Sequence, residues 1–162
     1  MSPAVGGYVY DTDLDDLDRV VFVEGVGATA DSSAIGSTET VVLTVPSTTY
    51  KANTAYRIEF AGTVSVSVAD NSPNIKFRKT NNAGQQFCST FTTCHTITVG
   101  YGARTEAYFQ VGAADVTAVI VMTLTGSGSY NAKMVASSTS PGTLNVFKVG
   151  PAANYTFAPT LV

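Results

Sequence analysis

Residues 117–151 read TAVIVMTLTGSGSYNAKMVASSTSPGTLNVFKVGP. Three short β-rich runs are separated by Gly/Ser turns. The stretch closes on a Ser140-Pro141-Gly142 turn and a Gly150-Pro151 stop. Successive side chains of a strand point to opposite faces, so a half-buried strand alternates apolar with polar. Here Val116, Ala118, Ile120, Met122 and Leu124 share one face, while Val119 and Val121 load the other. A strand that is apolar on both faces needs cover on both. A second sheet meets one side. For the other side the expectation is a sister copy of the chain, which makes Val119 and Val121 the expected subunit interface.

The rest of the chain repeats the β pattern. In AYRIEFAGTVSVSV, residues 55–68, Tyr56, Ile58, Phe60, Val64, Val66 and Val68 fall on one face and Arg57, Glu59, Thr63, Ser65 and Ser67 on the other. That is period-2 alternation, with Gly62 expected as a bulge or bend. Further strands are predicted over residues 20–24, 38–45, 74–80 and 104–112, with one or two more in 86–99. Residues 25–37 read as a small-residue loop. Pro46 is expected to end its strand, because proline cannot donate to a ladder. Gly100-Tyr101-Gly102 is expected to break the chain before the strand at 104. Eight to ten short strands with turns every 8–12 residues, and no convincing helix, predict an all-β, jelly-roll-like sandwich. An acidic arm (1–19) precedes the sandwich (20–151), and an extended C-terminal strap (152–162) follows it. One short helical turn is allowed over 13–19.

Composition agrees. A chain of 162 residues fits one domain and buries roughly 69% of its unfolded surface, enough for a core without metals or many disulfides. Charged residues are 13% of the total, against the usual share of about 25%. Residues 1–40 hold eight acids against one base, Arg19, and residues 41–162 hold eight bases against four acids; −7 and +4 give the net −3. An acidic arm on a mildly basic body suggests docking on the body or on a partner, through Asp11, Asp13, Asp15, Asp16 and Asp18; a solvated leader is the alternative. Lys76, Arg78 and Lys79 form the only basic cluster, so nucleic-acid binding is not expected. The first nineteen residues lack the apolar segment of a secretory signal, and the longest apolar run, 118–122, is too short to cross a bilayer. The expectation is a soluble protein made in a cytoplasm, with no membrane partner.

Two segments resemble a known family. Pro141, Leu144, Val146, Gly150 and Pro151 fill a Pro-x-x-Leu-x-Val-x-x-x-Gly-Pro ending, and Tyr56, Arg57, Ile58 and Gly62 fill a Tyr-Arg-Ile-x-x-x-Gly strand after a Thr-rich opening. Residues 38–151 thereby resemble jelly-roll structural proteins of tailed bacteriophages, especially phages of actinobacteria. Family members usually carry an acid shortly before the final Gly-Pro, where this chain has Lys148. The resemblance implies a virion component: a capsid decoration or minor capsid protein that trimerises on the major capsid protein, or a tail protein. A tail or fibre module binding host carbohydrate is the alternative, and it would need an exposed aromatic cluster.

Little in the sequence points to chemistry. His95 is the only histidine, which limits acid–base and metal hypotheses. Cys88, Cys94 and His95 form C-x₅-C-H, poorly spaced for zinc. A Cys88–Cys94 disulfide would need a turn between them, since fully extended residues would separate the Cα atoms by about 20 Å; free thiols are the alternative. A calcium loop wants Gly at position six and Glu at twelve; counted from Asp11 those places hold Asp16 and Phe22, and counted from Asp13 they hold Asp18 and Glu24, with Leu17 at position five. Gly25-Val26-Gly27-Ala28-Thr29-Ala30 imitates a dinucleotide fingerprint but no helical stripe follows. Paired carboxylates would have to come from Glu59, Glu106, Asp70 or Asp115. No G-x-S-x-G occurs. The expectation is a protein with no catalytic residues and no cofactor.

Overall fold

A computed structural model describes residues 20–97 and 99–162. The acidic arm, with Asp11, Asp13, Asp15, Asp16 and Asp18, and the helical turn expected in it lie outside the described residues. Ten strands follow: β1 (Val21–Ala28), β2 (Thr40–Tyr50), β3 (Thr54–Val66), β4 (Asn74–Lys79), β5 (Gln86–Phe91), β6 (Tyr101–Val111), β7 (Val116–Thr125), β8 (Ala132–Val135), β9 (Gly142–Pro151) and β10 (Thr160–Leu161). A short 3₁₀ turn, Ala152–Asn154, links the last two.

One sheet runs β1-β9-β3-β6-β10 and the other β2-β7-β4-β5. Strands β8 and β9 lie end to end along one edge of β3, which pairs Thr63–Val66 with β8 and Thr54–Ala61 with β9. Counted as one interrupted strand, they leave four nested antiparallel pairs: β1 with β9, β2 with β7, β3 with β6, and β4 with β5. That nesting is a single long hairpin with its apex at the β4–β5 turn. The hairpin is rolled until β3 meets β9 and β4 meets β7. This is the jelly roll expected from the alternation.

The inward faces follow the alternation except at Val68, which lies beyond the end of β3 and is exposed. Ile58, Phe60, Val64, Ile75, Phe77, Ile120, Met122 and Leu124 are fully buried. At one end of the core the ring of Phe109 stacks on Tyr56 at 5.2 Å, meets Tyr50 edge-on at 5.1 Å and touches Phe87 at 5.2 Å. Aromatic pairs in such geometries add to the burial of their area.

Several local expectations are corrected. β1 runs through Gly25 and Gly27, which pair with Asn145 and Thr143 rather than forming a loop. β2 continues past Pro46; it lies at the sheet edge, and its register slips between Val45 and Thr48, so the missing N–H falls in an irregularity. Gly62 makes no bulge. It pairs in register with Ala103, and a Cβ there would stand 2.7 Å from the Phe60 ring, so the glycine makes room for that ring. β6 starts at Tyr101 and Gly102, which pair with Val64 and Thr63. Residues 86–99 hold one strand, β5. The C-terminal strap is not simply extended: it curls through the 3₁₀ turn, buries Ala158 and Leu161, and adds β10 in parallel to β6.

Phe109→Ala should destabilise the protein by about 3–5 kcal/mol, the usual cost of emptying a large buried aromatic site. Urea unfolding would show a lower midpoint at unchanged slope. A loss under about 1 kcal/mol would mean this ring cluster is not the packed centre described.

Candidate functional site

The two sheets present very different outer faces. On the β2-β7-β4-β5 sheet, Val119 and Val121 sit where the alternation placed them, on the outer side of β7. Val121 is nevertheless only 1% exposed within the single chain. It lies between Thr44 of β2 and Arg78 of β4, beside a network that its own chain supplies. The Glu39 carboxylate accepts hydrogen bonds from Lys76 Nζ (2.8 Å), from Arg78 Nε and Nη2, and from the Thr123 hydroxyl (2.6 Å). Arg78 Nη1 also donates to the Gly84 carbonyl at 3.0 Å, and Asn82 donates to the Glu39 carbonyl at 2.8 Å. The expected subunit contact at Val121 is therefore corrected: the side chain is already buried in one copy. Val119 is half-buried. The basic cluster is also spent, with Lys76 and Arg78 on Glu39 and Lys79 on the Val162 carbonyl.

Burial pushes the Glu39 carboxyl up. The hydrogen bonds from Arg78, Lys76 and Thr123, with the Arg78 charge, outweigh it and hold the group at about 2.

The β1-β9-β3-β6 sheet is the open one. Its outer residues fall into rows across the strands, read directly from the register. One row is Phe22, Phe147, Arg57 and Tyr108. Phe22 meets Phe147 edge-on at 5.9 Å, and the Arg57 guanidinium lies over the Phe147 ring at 4.9 Å. The strap extends the row: Tyr108 packs on Tyr155 at 5.8 Å and on Phe157 at 5.7 Å. The Tyr155 hydroxyl anchors this curl by donating to the Val149 carbonyl at 3.1 Å. Phe22 is 58% exposed and Phe157 71%. The next row is Gly25, Asn145, Glu59 and Glu106. Arg104 reaches back over it, at 2.8 Å from Glu59 and 3.2 Å from Glu106. The third row, Gly27, Thr143, Ala61 and Arg104, is small apart from Arg104. An aromatic ridge thus flanks a polar strip and then a low floor. Exposed aromatic side chains gathered in one place mark a contact surface more often than scattered ones do.

Alternation in the sequence predicted that Arg57 and Glu59 face outward. It did not bring the ridge together, because the six residues come from β1, β3, β6, β9 and the strap. The register that joins them has no local signal.

The remaining candidates are dispersed. Cys88, on β5 opposite Phe77, and Cys94, bridged to Asn71, are free thiols; burial pushes both up from the ordinary thiol range. His95 pairs with Asp70 at 3.0 Å, both largely exposed. Asp115 is held by the Ala52 amide (2.8 Å) and Lys51 (2.9 Å). Of the four acids proposed for a pair, only Glu59 and Glu106 are neighbours, and Arg104 ties both down. Among the described residues, no group of three or more His, Cys, Asp and Glu could hold a metal ion. The dinucleotide look-alike lies within β1 and the loop after it, with no helix following. An open groove of about 280 Å³ beside Ser65, Ile97, Asn131 and Lys133 has its lysine paired with Asp31.

No family model matches the chain, and no curated protein matches it. Among solved structures, it is similar to infectious bursal disease virus, Gt strain, at 14% identity and a TM-score of 0.41 over 85% of this chain and 33% of that one. It is also similar to the VP2 subviral particle of the same virus, at 11% identity and a TM-score of 0.42 over 82% and 37%. The chain spans less than half the length of either.

Glu39 should make stability depend on acid. Its folded value, about 2, lies below the 4.5 of a free glutamate. Its contribution is therefore complete above about pH 4.5 and lost as pH falls toward 2, with roughly 3 kcal/mol at stake. Glu39→Gln should lower the urea midpoint at pH 7 and flatten the acid limb between pH 5 and 2. An unchanged limb would reject the network's role.

Proposed function

We propose that this chain is a non-enzymatic structural protein of a virion. In this reading it is a capsid decoration protein that binds the outer surface of the major capsid protein as a homotrimer. The observation that carries the reading is where the two motif segments of the phage-like resemblance fall: Tyr56-Arg57-Ile58 on β3 and Leu144-Val146 on β9, strands that pair with each other inside a jelly roll. Fold alone does not give function. The reading also draws on the low charge and on an outer sheet face with exposed aromatic and arginine side chains, the residue types that anchor protein contacts.

The mechanism is mechanical. Each copy bound to the assembled shell and not to its separated subunits stabilises the shell by linkage, about 2.7 kcal/mol at a hundred times the dissociation constant. The arm aspartates Asp11, Asp13, Asp15, Asp16 and Asp18 supply an electrostatic part of the attachment, screened beyond about 10 Å at 0.1 M salt.

A second reading, a tail or fibre module that binds host-surface carbohydrate, is favoured by one observation: the packed and partly exposed trio Tyr108, Tyr155 and Phe157.

Light scattering of the purified protein should give the mass of three chains. Electron microscopy of virions should place it on the shell, and adding it to shells that lack it should raise their disruption temperature. Deleting residues 1–19 should reduce shell occupancy most at low salt. A monomer that leaves shell disruption unchanged overturns the capsid reading.

A further inference from the structure

The geometry points to a binding site for an extended, uncharged polysaccharide along the outer face of the β1-β9-β3-β6 sheet, between the aromatic ridge and the small-residue floor. This rests on the carbohydrate reading above and gives it a location and a ligand class.

Three features select that ligand. The first is shape. The ridge runs across the strands, and three inter-strand steps of about 4.8 Å make it about 14 Å long before Tyr155 and Phe157 extend it. A ridge that long beside a flat strip suits a linear chain laid along it, and not a small molecule that needs enclosure.

The second is the pairing of chemistries. Sugar rings present apolar C–H faces and a rim of hydroxyls. Exposed Phe22 and Phe157 offer ring surface. The adjacent row offers an amide at Asn145, the carboxylate of Glu106 and the exposed Arg104 guanidinium, with Glu59 mostly covered beneath Arg104; such planar groups hold adjacent hydroxyls two at a time. Gly25 keeps the end of that row clear, since a Cβ there would stand 2.3 Å from Asn145 Oδ1.

The third is charge. Arg57 and Arg104 are matched by Glu59 and Glu106 within the rows, through contacts of 3.6, 2.8 and 3.2 Å. A polyanion would need an excess of cations and a polycation an excess of acids. The matched rows favour a neutral chain. They also hold the polar side chains in place before a ligand arrives, which lowers the ordering cost of binding.

The test is affinity electrophoresis of the whole chain through gels containing dextran, mannan, galactan or arabinogalactan, with alginate as the charged comparison. Retardation is expected in at least one neutral gel, with little dependence on salt. Phe157→Ala and Phe22→Ala, both at exposed positions, should weaken it about tenfold, as truncating an anchoring aromatic does. Glu106→Gln should weaken it while leaving the unfolding midpoint unchanged. Retardation that survives all three substitutions keeps the carbohydrate reading and overturns this site. No retardation in any neutral gel, or retardation only in alginate, overturns both. A drop in oligomeric mass on Phe22→Ala or Phe157→Ala would show that a second copy covers the ridge, and overturns the inference as well.

Discussion

The ladders that flank β3 set where every outward side chain on its sheet can stand. β3 is paired along its length, with β6 on one edge and with β9 and then β8 on the other. Because side chains alternate strictly, fixing Ile58 and Phe60 in the core fixes Arg57 and Glu59 outside. The register then carries that choice across to Tyr108 and Phe147. A slip of one residue in either ladder would send the ridge inward and the core outward. The aromatic ridge is thus a consequence of the core, not an addition to it.

The two outer faces show two ways of finishing a sheet. On the β7 side the chain closes its own surface: Glu39, Lys76, Arg78 and Thr123 satisfy one another and leave Val121 no access to solvent. Ion pairs at the surface usually contribute little. This one is half-buried, shares a hydroxyl donor and joins β4 and β7 to the residue just before β2, so it acts as a polar lid. On the β3 side no such lid forms among the described residues. The charges there lie beside the rings, and Phe22 and Phe157 stay in water.

Much of this was legible in the residues. Alternation over 55–68 gave β3 and its inward face; the apolar run at 116–124 gave β7; the spacing of turn residues gave short strands and a jelly-roll-like sandwich, though not their order. What stayed hidden was contact across long separations. Val121 reads as an uncovered valine because its cover comes from residues 39, 44 and 78. Gly25 and Gly27 read as loop because glycine has no strand preference of its own, yet pairing with β9 makes them strand. Pro46 reads as a stop because the rule against proline assumes a partner on both sides, and among the described residues β2 has one only. The ridge had no sequence signature, since its members are adjacent only after β1, β9, β3 and β6 are in register.

The nested pairing also governs the order of events when the chain acquires its shape. Only the β4–β5 pair is local. β1 must wait for residues 142–148, and the β9 edge of β3 is bare until the same residues exist. Closing such wide loops before any contact rewards them is slow. During synthesis the first half of the chain therefore spends its early life as unpaired apolar strands, a state prone to sticking to its own kind. A rolled hairpin of this sort gains a tightly interlocked product at the expense of a long, exposed apprenticeship.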